Sequence, residues 1–219
     1  MPVSPKTILS LLILLLLPLA IPNAEGQAYC SLRDPNHIVQ EIFPTATGFR
    51  SYLRKITPKD TQTLREQLAV EFDAREFTTH TLYAVHQNEQ ILGYIQSRTE
   101  EVEWGLAEII WVLTPDLRLK TFRFQRCRSR WKKTVESESL QQHLRGLSET
   151  ELAEKVRYDG VKWLSTLAGT RPEATKLVEA VVNSGLKAVG LARIVWGEDI
   201  RKLRETASEA RQGDSSAER

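Results

Sequence analysis

Thr81-Leu82-Tyr83-Ala84-Val85-His86-Gln87-Asn88-Glu89-Gln90-Ile91-Leu92-Gly93-Tyr94-Ile95 reads as two strands joined by a polar turn. Branched and aromatic residues fill both flanks, and Gln87 to Gln90 break them, so the chain folds back on itself as an antiparallel pair. The theme repeats downstream, where Ala107 to Leu113 (AEIIWVL) and Leu117 to Phe124 (LRLKTFRF) flank the turn signal Thr114-Pro115-Asp116. In the last of these, Leu117, Leu119 and Thr121 share a face on which Lys120, Phe122 and Phe124 intrude, so the alternation is imperfect and leaves the register open. The centre of the chain is therefore expected to be an antiparallel sheet of about four or more strands.

Helical signals lie on both sides of this sheet. Upstream, the amphipathic piece Ile38 to Phe43 runs into the turn-rich Pro44-Thr45-Ala46-Thr47-Gly48. Thr57-Pro58-Lys59-Asp60 opens a helix with Thr57 as cap and Pro58 in the first helical position, running to about Ala69 with Leu64 and Leu68 inward. Past Cys127, Ser148-Glu149-Thr150-Glu151 is a capping box, and Lys162 to Leu167 reads as a short apolar turn. Thr170-Arg171-Pro172-Glu173 is a second capping box, opening a helix that turns Ala174, Leu177, Val178, Val181 and Val182 inward. Asn183-Ser184-Gly185 is expected to pause that helix before Leu186 to Val195. Strands grouped in the middle with helices around them make an α+β domain.

The 219 residues are 41% hydrophobic and 26% charged, an ordinary globular composition, and a net charge of +2 gives no global basic field for nucleic acid. Ile8 to Ile21 form an apolar run behind Lys6, short for a membrane span and broken by Pro18, and Gly26-Gln27-Ala28 offers a small-x-small cleavage pattern. Residues 1–28 are thus expected to be a signal peptide, or an anchor if uncut, followed by the domain at 29–200 and a polar, disordered tail at 201–219. The bulky Tyr29 before Cys30 argues against lipidation. Export places the domain in a bacterial periplasm or on the outer face of the cytoplasmic membrane, where a Cys30–Cys127 disulfide persists; the alternative is two buried free thiols. The four histidines (His37, His80, His86 and His143) show no metal-ligand spacing, and no GxSxG or HExxH motif marks a hydrolase.

Two stretches could carry function. Arg123 to Lys133 holds six basic residues with Phe124 and Trp131 among them, a candidate contact for a phosphate, an anionic lipid surface or an acidic partner, or simply a solvated connection. Leu167 to Glu173 sets Gly169 and Thr170 at a helix start, where free backbone N–H groups and the helix dipole favour an anion; plain capping explains the same residues. Among the five tryptophans, Trp104 stands beside Gly105, which permits close approach of a ligand.

Several stretches resemble the exported FMN-binding domain of flavoprotein subunits in Rnf complexes and sodium-translocating NADH:quinone reductases. They are Leu82 to Val85, Leu92 to Ile95, Trp104 to Ile109 and Ala180 to Leu186, and the likeness spans roughly 38–191. It implies an FMN-binding-like fold, electron relay rather than substrate turnover, and a membrane redox partner. In that family a Thr of a Ser-Gly-Ala-Thr motif carries FMN covalently. Here Ala168-Gly169-Thr170-Arg171 puts Arg at that place, and Arg126-Cys127-Arg128-Ser129-Arg130 replaces a Glu-Thr-Pro-Gly-Leu-Gly stretch. The implied FMN is then held non-covalently, its phosphate by Gly169, Thr170 and Arg171 with Arg126 and Arg128, and its ring by Trp104 beside Gly105, with Trp131 as a second stacking candidate. The other reading is a member that has lost the cofactor and binds partners through the basic stretch.

Overall fold

The computed structural model of the chain describes residues 30–68, 70–169 and 172–217. The leader expected at 1–28, together with Ala69, Thr170 and Arg171, lies outside the described residues.

Five strands form one antiparallel meander in the order β1-β2-β3-β4-β5: Gly48–Lys55, Thr79–Gln87, Gln90–Val102, Gly105–Leu113 and Leu119–Arg126. Helix α1 (Pro35–Ile42) precedes the sheet, and α2 (Pro58–Gln67) with the 3-10 turn Ala74–Glu76 crosses from β1 to β2. After β5 come α3 (Lys132–Val135), α4 (Glu138–Leu144), α5 (Glu149–Glu154), a π-helical turn and α6 (Gly160–Ala168). A 3-10 turn, Pro172–Ala174, leads into α7, which runs 43 residues from Thr175 to Ala217. The molecule is an α+β fold.

Each face of the sheet is covered. Leu32, Ile38, Val39 and Phe43 pack on Val85, Ile95, Ile110 and Val112 from the α1 side. On the opposite face α7 lays Leu177, Val178, Val181, Leu186 and Val189 against Leu82, Tyr94, Ile109, Trp111 and Phe122. The central strands β3 and β4 are therefore buried on both faces, whereas β1 at the edge is mostly exposed.

The local rules explain the helix starts. Thr57 accepts from the N–H of Asp60 and Asp60 reaches back, with Pro58 at the first helical position, and Ser148 and Glu151 repeat that reciprocal cap. Helix α2 stops at Gln67, leaving Leu64 and Leu68 buried as the spacing predicts.

Four expectations change. Leu117 adopts φ 61° in the turn, so β5 starts at Leu119; its ladder steps from Val112↔Thr121 to Leu113↔Leu119. Lys120 is the extra residue of that bulge, which returns Leu119 to the core with Phe122 and Phe124 and accounts for the broken alternation. Lys162 to Leu167 belongs to α6 rather than to a turn. Helix α7 passes through Asn183-Ser184-Gly185 without a pause, because Ser184 bonds back to the carbonyl of Val181 at 2.9 Å and takes the indole N–H of Trp111 at 2.7 Å. It also continues to Ala217, through residues expected to form a disordered tail. Among the described residues, no helix is long and apolar enough to cross a membrane.

Candidate functional site

The candidate flavin residues fall on separate elements. Trp104 caps the β3–β4 turn and is 56% exposed. Gly105 opens β4 at φ 99°, a conformation that favours glycine, and a Cβ there would meet no atom within 4 Å. Arg126 ends β5 opposite Glu108 and lies 3.6 Å from its Oε1, an oxygen that also accepts from Arg33 at 2.7 Å. Since Glu108 is three residues beyond Gly105, Arg126 sits about 10 Å along the strand from the Trp104 turn. Arg128 is exposed nearby in sequence. Gly169, by contrast, caps the C-terminus of α6 at φ 65°, its N–H bonded to the carbonyl of Thr166. The structure thus groups Trp104, Gly105 and Arg126 at one end of the sheet and assigns Gly169 to another element; Thr170 and Arg171 lie outside the described residues.

The basic stretch is partly neutralised. Arg123 pairs with Glu41 at 3.1 Å, Arg126 faces Glu108, and Arg130 stacks over the ring of Trp131 at 4.8 Å. Arg128 and Lys133 are exposed and form no ion pair with a described residue.

Both cysteines are free. Cys30 is buried against β3, where its Sγ accepts the N–H of Thr99 at 3.2 Å and its own N–H donates to the Thr99 hydroxyl at 3.0 Å. The ladder sets Thr99 opposite Glu108 and Glu108 opposite Arg126, so Cys127 follows a position two strands, about 10 Å, from Thr99. In this arrangement the two sulfurs are unbonded, with Cys30 buried and Cys127 half-buried. Burial pushes both thiols up from their ordinary pKa.

A buried charged cluster went unread in the sequence. Tyr94, Gln96, Arg98 and Glu100 alternate along β3 toward α7. Arg98 has no exposed surface and donates to Glu76 Oε2, and Lys187 of α7 donates to Glu76 Oε1 at 2.8 Å and to Glu100 Oε2 at 2.9 Å. The Glu76 carboxylate also takes the N–H of Asp73, closing the cap of its 3-10 turn. His80 lies 2.6 Å through Nε2 from the carbonyl of Glu76 and 3.5 Å through Nδ1 from Arg98. A carbonyl can only accept, so Nε2 carries the proton and Nδ1 faces the guanidinium. Burial, with the Arg98 cation behind it, holds the His80 pKa down to about 4. Burial likewise raises the Glu100 carboxyl. Two carboxylates and two cations balance here, and the set is buried, with Arg98 Nε and Glu100 Oε1 left without a hydrogen-bond partner among the described residues. It fastens α7 and the 3-10 turn to β3.

A cleft of about 190 Å³ opens elsewhere, between the β1–β2–β3 corner and residues 199–207 of α7; none of the flavin candidates lines it. Among the described residues no group of three or more His, Cys, Asp and Glu could hold a metal ion. Compared with family models, curated proteins and solved structures, the chain matches none.

Proposed function

We propose that the domain is an exported, FMN-binding-like module that relays electrons beside a membrane and holds its flavin without a covalent bond. The observation that carries this reading is the pairing of an exposed indole, Trp104, with the open backbone of Gly105. A flat ring can lie on the indole face, a contact of about 1 kcal/mol beyond area burial, without meeting a Cβ from the neighbouring residue. Arg126 and Arg128 supply cations for the phosphate, whereas Gly169 ends α6 with its N–H already bonded to the carbonyl of Thr166 and offers no free helix-start amide. The family-like stretches fall on β2, β3, β4 and α7, which pack as one unit through a shared core. An absorbance spectrum of protein exported by a flavin-secreting host tests the reading. A flavin band released on denaturation is expected, and colourless protein that also fails to take up added FMN would overturn it.

A second reading, a cofactor-free binding module, is favoured by the exposed cations Arg128 and Lys133, which form no ion pair with a described residue. Its test is salt-sensitive binding to anionic vesicles. Binding that survives replacement of Arg126, Arg128 and Arg130 by Glu rules it out.

A further inference from the structure

The geometry points to a second binding site, independent of the flavin reading: the cleft under residues 199–207 of α7 takes a small amphipathic carboxylate. Its floor is apolar, made by Tyr52, Ala84, Ile91 and Leu203, where the sheet corner and the helix part. Its rim is cationic. Arg50 of β1 and Lys202 of α7 stand on opposite walls, both exposed, and neither forms an ion pair with a described residue.

Charge accounting gives the sign of the occupant. Asp199 also lines the cleft, but both of its oxygens are taken by Arg54, at 2.9 and 3.0 Å, so that pair cancels. Among the described lining residues, Glu89 is the one remaining carboxylate against Arg50 and Lys202, which leaves the rim positive. A carboxylate of a ligand can lie between the two cations and accept charge-assisted hydrogen bonds, while a cation there meets repulsion from both walls.

His86 adds a polar contact. Its Nδ1 lies 3.5 Å from the hydroxyl of Thr47, and the ring packs where Gly48 has no side chain; a Cβ on Gly48 would come within 3.3 Å of Cε1. His86 lines the cleft, and its Nε2 has no hydrogen-bond partner among the described residues.

Volume limits the size. The cleft offers about 190 Å³. That falls below the 300 Å³ or more of drug-sized pockets and suits a chain or single ring of few atoms better than a three-ring flavin. The occupant is thus a short fatty or aromatic carboxylate, not a nucleotide.

The test is an NMR titration of the full chain with hexanoate, hexanol and hexylammonium as probes. Hexanoate is expected to shift the backbone amide signals of Arg50, Ala84, His86, Ile91 and Leu203, with hexanol weaker and hexylammonium without effect. Arg50→Ala and Lys202→Ala, both on exposed side chains, should each weaken hexanoate by about tenfold, as loss of a charge-assisted bond does. Arg50→Lys should keep most of the affinity, and Lys59→Ala, on an exposed side chain of α2 that does not line the cleft, should change nothing. Equal responses to all three probes, shifts scattered over the surface, or no response at tens of millimolar hexanoate would each overturn the proposal.

Discussion

Lys187 Nζ donates to Glu76 Oε1 at 2.8 Å across 111 residues of sequence, joining the middle of α7 to the 3-10 turn before β2. The same ammonium reaches Glu100 of β3 at 2.9 Å and lies 5.4 Å from the ring centre of Phe72. One side chain thus ties together three parts of the fold that hydrophobic contact alone would leave free to slide. Replacing Lys187 by Met keeps the volume but strands Glu100 without its cation. The expected cost is about 3–5 kcal/mol in urea unfolding, the usual result of breaking one partner out of a buried pair. Adding Glu100→Gln to Lys187→Met should recover part of that loss, because the stranded charge is gone. A single-variant loss under about 1 kcal/mol would show that water reaches the cluster.

His80 sets a pH dependence. Its pKa is near 4 in the folded chain, against an ordinary value near 6.5, so the unfolded chain binds the proton first as pH falls. Stability from this group is complete above about pH 6.5 and is lost between there and pH 4, amounting to about 3 kcal/mol. Glu100 opposes it: its carboxyl titrates above the ordinary value when folded, so its contribution is lost as pH rises from the ordinary carboxylate range. His80→Gln should flatten the slope between pH 6.5 and 4 while leaving the Glu100 trend. Chemical denaturation at several pH values measures both, and an unchanged slope in the variant would mean the imidazole is not held neutral.

Much of the fold is legible locally, and the exceptions share a cause. The caps at Thr57 and Ser148 need only neighbours within three residues, and the β2–β3 turn needs only the polar residues between its strands. The local pattern ends the second strand at Ile95, yet β3 runs to Val102, because the charges of Arg98 and Glu100 meet Glu76 and Lys187 from distant parts of the chain. No local period signals such pairing. Strand β1, with Arg50, Arg54 and Lys55, lacks an apolar stripe because it is a sheet edge, where charge is tolerated. The candidate site is less legible than the fold: Gly105 and Trp104 stand out as an open pair, but nothing in their spacing tells that Gly169 belongs to a different element.

Gly185 shows how a residue read as a helix pause serves packing instead. A Cβ there would lie 2.8 Å from Cζ2 and 3.0 Å from Cη2 of Trp111, an indole with no exposed surface, fixed at its other end by Ser184. Gly185→Ala gains roughly 1 kcal/mol of helix propensity and loses about 1–3 kcal/mol to overpacking. The net expectation is destabilisation of about 1 kcal/mol, with a changed tryptophan emission spectrum. Gly197→Ala is the control, since its Cβ would meet nothing within 4 Å, and it should be neutral or stabilising. Equal effects at the two positions would refute the close-approach account.

The thiols separate burial from bonding. With no disulfide, a denatured sample should titrate two thiols per chain, and the native protein should react first at half-buried Cys127, with buried Cys30 following only on opening. Replacing Cys30 by Ala removes an acceptor from the Thr99 N–H and a small apolar contact, for about 1–2 kcal/mol of stability. Replacing Cys127 by Ala should cost less, because that side chain is only partly buried. If exported protein shows no titratable thiol and Cys127→Ala destabilises as strongly as Cys30→Ala, the two sulfurs are bonded and the N-terminal segment must pack against the sheet differently from the arrangement described.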